Sequence, residues 1–259
     1  MSRRQIFLKA ANVAAFLMLL IFNYYNPMGK RGHKGKDDPS SYLSPAIFTF
    51  QIWFVIYSLL LGFVIYQWFD SANDATVDGV QYYHIIACVL SVAWRYIWDQ
   101  EYYLLDAFVI LSMFLVMFKI YYNLSSFYPP KNVLDLLFIR YPFTIYTGWL
   151  LVSTVLNFWI AVSALDTIVI STVAVVILGF IGSYFTDDDR HDVVFAATIL
   201  WALIGIAVKN HNNMPILVAA LVLSGLNVGG ILRVWERYFI AKIRLRRQRQ
   251  ATERSPLLG

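Results

Sequence analysis

Apolar runs of membrane length recur along the chain, separated by short polar turns. A bilayer core of about 30 Å requires roughly 20 apolar residues per helix, and windows of that length predict eight spans. They run approximately Ile6–Tyr24, Pro45–Trp68, Tyr82–Trp98, Tyr103–Tyr122, Leu136–Val162, Thr167–Phe185, Val193–Val208 and Pro215–Phe239. The fifth is the longest and admits a tilt; the seventh is short. The short alternation of outer-membrane barrel strands is not visible. The first run opens with Arg3, Arg4 and Lys9, as a signal peptide would. The bulky stretch Asn23-Tyr24-Tyr25-Asn26-Pro27 that follows offers no small-residue cleavage site, so a retained helix is expected. The fold class expected is therefore all-α: a polytopic transmembrane helix bundle of about eight spans.

Composition narrows the class. Of 259 residues, 59% are hydrophobic and 14% charged, against about 45–50% and about 25% in soluble domains. The mean hydropathy of +0.58 agrees. This apolar surplus is too large for one soluble core to hide, which argues against a soluble enzyme, a disordered chain and a disulfide scaffold. Cys88 is the only cysteine, so no internal disulfide can form, and it reads as a small buried hydrophobe.

Charge sets the expected orientation. Seven of the 21 basic residues lie between Arg237 and Arg254, where a juxtamembrane role is simpler than nucleic-acid binding. With eight spans, Arg3, Arg4, Lys9, Lys131, Arg190 and the cluster Lys242, Arg244, Arg246, Arg247 and Arg249 share one side. Lys30, Arg31, Lys34, Lys36, Arg95 and Lys209 share the other. The bias predicts cytosolic termini, with the basic first loop as the dissenting feature. Asn123-Leu124-Ser125 is an N-glycosylation sequon that this topology places in the cytosol, where no glycan is added.

The chain ends Glu253-Arg254-Ser255-Pro256-Leu257-Leu258-Gly259. Glu253, Leu257 and Leu258 resemble the acidic dileucine signal of endosomal and lysosomal membrane proteins, an extended peptide read by cytosolic sorting adaptors. The alternative is a solvated tail that ends in two leucines by chance. The basic run Lys242–Arg249 could grip anionic membrane lipids, at roughly 1 kcal/mol per charge, or only enforce topology.

Aromatic residues occur at unusual depth. Trp68, Trp98 and Trp235 sit near span ends, where tryptophan usually gathers. Trp53, Trp94, Trp149 and Trp201 lie inside their spans, where an indole N–H requires an acceptor. Their rings are expected to face other helices or a bound molecule more than lipid. Asn12, Ser91, Asn157 and Asn227 also lie at membrane depth, where helix–helix hydrogen bonds are the simpler reading over ligand contacts. Asp106, one turn into its span, could still reach the interface. His84 and Cys88 share a helix face, but one pair makes a weak metal site, and His33, His191 and His211 lack zinc spacing. Asp187-Asp188-Asp189 reads as a solvated turn. No metal or cofactor is expected. Gly225 and Gly229 form a GxxxG pattern that allows close helix contact within the chain or with a second copy. No phosphate loop, HExxH or nucleophile elbow is present, and nothing points to nucleic acid.

Several stretches together resemble a known family. Pro45-Ala46-Ile47-Phe48-Thr49-Phe50-Gln51-Ile52-Trp53, with Tyr57, Gly62 and Tyr66-Gln67, is similar to the second helix of TspO/peripheral-benzodiazepine-receptor-like (tryptophan-rich sensory) proteins. Leu90-Ser91-Val92-Ala93-Trp94 resembles the third-helix pattern, with Ser91 where the family has Asn. Tyr141-Pro142-Phe143, Tyr146, Gly148-Trp149, Ser153 and Leu156-Asn157 resemble the fifth helix. Asn12 and Asn23 fit the first, although the first loop lacks tryptophan. Asp189-Arg190-His191-Asp192 and Trp201-Ala202-Leu203-Ile204-Gly205 resemble a longer branch with extra helices. The resemblance implies a TspO-like five-helix bundle over 1–163, three additional transmembrane helices over 164–241 and a basic cytosolic tail over 242–259. It also implies a pocket for porphyrins, sterols or synthetic aromatic ligands, with Trp53, Tyr57, Trp94, Trp149 and Asn157 lining or bracing it. The expectation is a non-enzymatic receptor or transporter for a hydrophobic small molecule in a lysosomal, late endosomal or vacuolar membrane. The alternative is a structural or regulatory subunit of a membrane complex.

Overall fold

The computed structural model describes residues 2–25, 41–187 and 192–254, with side chains described up to Arg244. Among these residues there are eight long helices: α1 (Arg3–Tyr25), α2 (Ile52–Tyr66), α3 (Tyr83–Asp99), α4 (Tyr103–Ser126), α5 (Tyr141–Ala161), α6 (Ile168–Tyr184), α7 (Val193–Lys209) and α8 (Met214–Arg254). They follow the eight apolar runs closely. A 3-10 turn, Ile47–Gln51, leads into α2, and a π segment, Leu136–Arg140, leads into α5. Pro142 stands in the first turn of α5, where its missing N–H costs no helical bond. Side chains of Thr167 and Asp192 accept the N–H groups of Ile170 and Phe195 and so cap α6 and α7.

Five of the helices are long and apolar enough to cross a membrane by length and composition: Arg3–Tyr25, Ile47–Tyr66, Tyr103–Ser126, Val133–Ala161 and Met214–Arg244. α6 and α7, of 17 residues each, rise about 25 Å, slightly less than a bilayer core of about 30 Å. α3 is equally short and carries the polar stripe His84, Ser91, Arg95 and Asp99.

Helices α1 to α5 close into a ring. α1 packs on α2, α2 on α5, α5 on α4, α4 on α3, and α3 back on α1. α7 lies against the outside of α5 and of the 3-10 turn, and α6 and α8 complete a second layer with it. Close approach in that layer depends on small residues. A Cβ on Gly179 would meet Leu223 of α8 at 2.6 Å, and one on Gly148 of α5 would meet Thr198 of α7 at 3.1 Å.

Polar contacts sort the connections between the two ends of the bundle. At one end, Lys9 Nζ donates to Asn73 Oδ1 at 3.1 Å, Lys131 pairs with Asp74 at 3.2 Å, and Arg140 pairs with Asp192 at 3.1 Å. At the other, Asp166 Oδ1 accepts the Tyr42 N–H, and Asn210 Nδ2 donates to the Tyr42 carbonyl, each at 2.8 Å. Lys9 and Lys131 therefore share an end, as the charge bias requires, and Arg95 and Lys209 belong to the opposite one.

Three expectations are refined. Asp106 is not exposed at its span end: its carboxyl is fully buried against α3. The extended form expected of the tail signal does not hold at Glu253, because α8 continues as helix through the basic run to Arg254. Glu253 therefore has a helical backbone, its side chain lies outside the described residues, and so do Leu257 and Leu258. The GxxxG pair has no partner helix within the described chain: nothing approaches a Cβ on Gly225 or Gly229 within 4 Å. The first loop with Lys30, Arg31, His33, Lys34 and Lys36, and residues Asp188, Asp189, Arg190 and His191, also lie outside the described residues.

Candidate ligand-binding site

The centre of the five-helix ring is aromatic. Trp53 of α2 is its hub. Its ring lies 6.1 Å from Trp94 of α3 in a stacked arrangement, and 5.6 Å from Tyr57. It meets Tyr146 and Trp149 of α5 edge-on, at 5.6 and 6.5 Å. Phe50, from the 3-10 turn, meets Trp149 edge-on at 5.9 Å. Offset and edge-to-face pairs of this kind each contribute about 0.5–1.5 kcal/mol beyond burial. Trp53, Trp94, Trp149 and Tyr146 are all buried, and Tyr57 half-buried.

Helical spacing produces the cluster. Trp53 and Tyr57 are four apart on α2, and Tyr146, Trp149, Ser153 and Asn157 repeat at three- and four-residue steps on α5, so each set shares one face. All five residues expected to line or brace a pocket are brought to this ring: Trp53, Tyr57, Trp94, Trp149 and Asn157. Sequence reasoning missed Phe50 and Tyr146 as site residues, although each precedes a site tryptophan by three positions.

Polar groups satisfy most of the buried edges. The Trp94 indole N–H is shared between Asp106 Oδ2 of α4 at 2.9 Å and Asn157 Oδ1 at 3.2 Å. Asn157 Nδ2 donates to the Ser153 carbonyl at 2.7 Å. Arg95 pairs with Asp99 one turn further along α3; Arg95 is buried and Asp99 half-buried. Three buried atoms of these site residues have no partner: the indole Nε1 of Trp149, Oδ1 of Asp106 and Nε of Arg95. An unpaired buried polar group typically costs about 1–3 kcal/mol, so these atoms are where a bound molecule would gain most.

The pair His84 and Cys88 belongs to a different network, between α1, α2 and α3. His84 Nδ1 lies 3.3 Å from Asn12 Oδ1, and Cys88 Sγ lies 3.6 Å from His84 Nε2. Asn12 Nδ2 donates to Gln67 Oε1 at 3.0 Å, and Gln67 Nε2 donates to the carbonyls of Lys9 and Val64. Aromatic rings of Phe63 and Phe143 close over the imidazole edge-on. The network ties three helices together by hydrogen bonds. Among the described residues there is no group of three His, Cys, Asp or Glu that could hold a metal.

Three cavities flank the ring. One of about 280 Å³ opens at the end that carries Lys131 and Asp74, bordered by Tyr128, Asp135 and Arg140. One of about 380 Å³ lies between α2, α5 and α7, walled by Ile52, Val55, Ile145, Val194, Thr198 and Trp201. An apolar groove of about 700 Å³ runs between α6 and α8, along Val176, Phe180, Val218 and Val222.

A closed ring of five helices around stacked tryptophans, extended by a three-helix layer, defines a helical membrane protein with a tryptophan-rich centre. The family model for TSPO-like protein matches residues 7–233, and the chain belongs to that family. No curated protein and no solved structure matches it.

Proposed function

We propose that this protein is a non-catalytic membrane receptor or transporter for a hydrophobic or aromatic small molecule of porphyrin-, sterol- or lipid-like shape. The observation that carries the reading is the convergence of Trp53, Trp94, Trp149, Tyr57 and Tyr146 inside one ring of helices, with the Trp149 indole N–H buried and unpartnered. Flat apolar ligands suit aromatic walls, and an unpaired donor suits a ligand carbonyl or carboxylate. An endolysosomal address rests on Glu253, Leu257 and Leu258, which a cytosolic sorting adaptor would read; replacing both leucines by alanine should then divert the protein to the plasma membrane.

The test is direct. Protoporphyrin should quench the tryptophan fluorescence of the purified chain in nanodiscs saturably, and should raise its melting temperature. Trp149→Ala should weaken that binding by about 1–3 kcal/mol, the scale of one large buried contact. Wild-type protein that shows neither quenching nor a ligand-dependent shift with porphyrin, cholesterol or phospholipid removes the reading.

One observation favours a second reading, a non-catalytic subunit of a membrane complex. Gly225 and Gly229 face away from every described helix, which is where a small-residue pattern meets another chain. Co-purification of a stoichiometric partner, lost on Gly225→Leu, would support it.

A further inference from the structure

At the end of the ring opposite Lys9, the described residues include a cluster of three charged side chains. Arg95 and Asp99 lie in the last turns of α3 and Asp106 in the first turn of α4. All three face inward: Arg95 is 5% exposed and Asp106 fully buried, and the side chain of Asp99 is 12% exposed. Arg95 is paired with Asp99 and is close enough to act on Asp106 electrostatically. Among the described residues the cluster holds one guanidinium and two carboxyl groups, so with Arg95 paired to Asp99 the Asp106 carboxyl has no cation of its own at the edge of an apolar bundle. An isolated buried charge is costly unless it is paired.

Two unsatisfied buried atoms of the cluster are identifiable, Asp106 Oδ1 and Arg95 Nε. Asp106 Oδ2 accepts the Trp94 indole N–H, whereas Oδ1 has no partner. Asn157, from α5, spends its Oδ1 on Trp94 and its Nδ2 on the Ser153 carbonyl. Neither neighbour therefore neutralises the carboxyl. Trp94 joins this corner to the aromatic centre: its N–H edge meets Asp106, and its face stacks on Trp53. A molecule whose apolar body lies against these rings brings its polar end to the orphan oxygen.

On this basis, and resting on the receptor reading above, we infer that the ligand is a cationic amphiphile. Its protonated amine pairs with Asp106 at the mouth of the ring, and its apolar body extends inward along Trp94 and Trp53. The arrangement suits one organic cation better than a divalent metal. Metal sites of that kind gather several carboxylate or carbonyl oxygens, whereas here the second carboxylate is already held by Arg95. The position also matches how an amphiphile sits in a leaflet, with its charge near the interface and its tail toward the membrane centre.

The experiment compares two probes of equal shape with the full chain in nanodiscs: para-bromophenylbutylamine and its uncharged isostere para-bromophenylbutanol. Their bromine quenches tryptophan emission, so affinity is read without a further label. The wild-type protein should bind the amine about tenfold or more tightly than the alcohol, as a close buried charge pair requires. Asp106→Asn, which keeps an acceptor for Trp94 but loses the charge, should abolish that preference and retain alcohol binding. Asp99→Asn releases Arg95 to neutralise Asp106 and should reduce the preference as well, which supplies a second variant should Asp106→Asn not fold. Equal affinity of the two probes in wild type overturns the inference and leaves the receptor reading standing. An amine preference that survives in both variants overturns it too. Failure of both probes to bind, together with failure of porphyrin, overturns both.

Discussion

Trp201 of α7 donates its indole N–H to the carbonyl oxygen of Thr49, 2.8 Å away in the turn that starts α2. The same junction has the Ala46 N–H donating to the Gly205 carbonyl at 2.9 Å, and Phe48 meeting Trp201 edge-on at 5.4 Å. The second layer is thus fastened to the ring by backbone groups of the α2 entry, and not by apolar packing alone. A Cβ on Gly205 would come within 3.0 Å of Pro45. Trp201→Phe should cost about 1 kcal/mol, the net worth of one hydrogen bond. Gly205→Leu should cost more, on the order of 1–3 kcal/mol from overpacking. Denaturant melts of the purified protein measure both. Equal, negligible losses would mean that the junction contributes nothing.

This junction shows what the sequence could reveal. The eight apolar runs predict the eight long helices because membrane burial demands length and apolarity, both readable residue by residue. Deep tryptophans pointed to a shared interior because an indole N–H at that depth requires an acceptor. The acceptors themselves were not readable: the Thr49 carbonyl for Trp201, and Asp106 for Trp94, depend on which helices become neighbours. Asp106 looked interfacial from its place near a helix start, yet the packing of α3 against α4 buries it. The GxxxG pattern was visible, but only the orientation of α8 shows that Gly225 and Gly229 turn outward while Gly230 turns inward.

Gln67, at the end of α2, is tied to α1 through both atoms of its amide. Its Oε1 accepts from Asn12, and its Nε2 donates to the carbonyl of Lys9 at 3.1 Å. It is fully buried, as is Asn12. Gln67→Leu should destabilise the fold by about 1–3 kcal/mol, since the Asn12 amide loses its acceptor at a site without water. Adding Asn12→Leu should restore part of that loss, because both halves of the pair are then apolar. A double mutant as unstable as the sum of the single changes would show that the two amides act independently.

The glycines of the second layer divide by direction. A Cβ at Gly182 would meet Asn227 and, at 3.1 Å, Ile199, whereas one at Gly225 would meet nothing within 4 Å. Gly182→Leu should therefore lower stability by about 1–3 kcal/mol or more through overpacking. Gly225→Leu should change it by no more than about 0.5 kcal/mol, as an exposed change does. The oligomeric state of the Gly225→Leu protein in mild detergent then reports separately on whether that face meets another chain. A large stability loss in Gly225→Leu monomers would contradict the outward orientation of α8.

The short helices α6 and α7 decide the topology, and the single cysteine makes them testable. Cys88 is buried, so Cys88→Ala removes background labelling at the cost of one small packing group. In that background, single cysteines can replace Lys131, Asp187 and His211, each of which is exposed. Lys131 precedes α5, Asp187 lies between α6 and α7, and His211 lies between α7 and α8. If all eight helices cross with cytosolic termini, an impermeant maleimide should label His211→Cys in intact cells that display the protein at the surface. Lys131→Cys and Asp187→Cys should react only after permeabilisation. Labelling of Asp187→Cys from the His211 side would mean that α6 and α7 dip into the membrane without crossing it. The sequon at Asn123 gives no independent reading of this, because its Nδ2 is buried and donates to the Gly79 carbonyl at 2.9 Å. A glycan there would have to break that bond and force α4 away from the 75–80 segment, so the folded protein is expected to carry none whichever way the bundle faces.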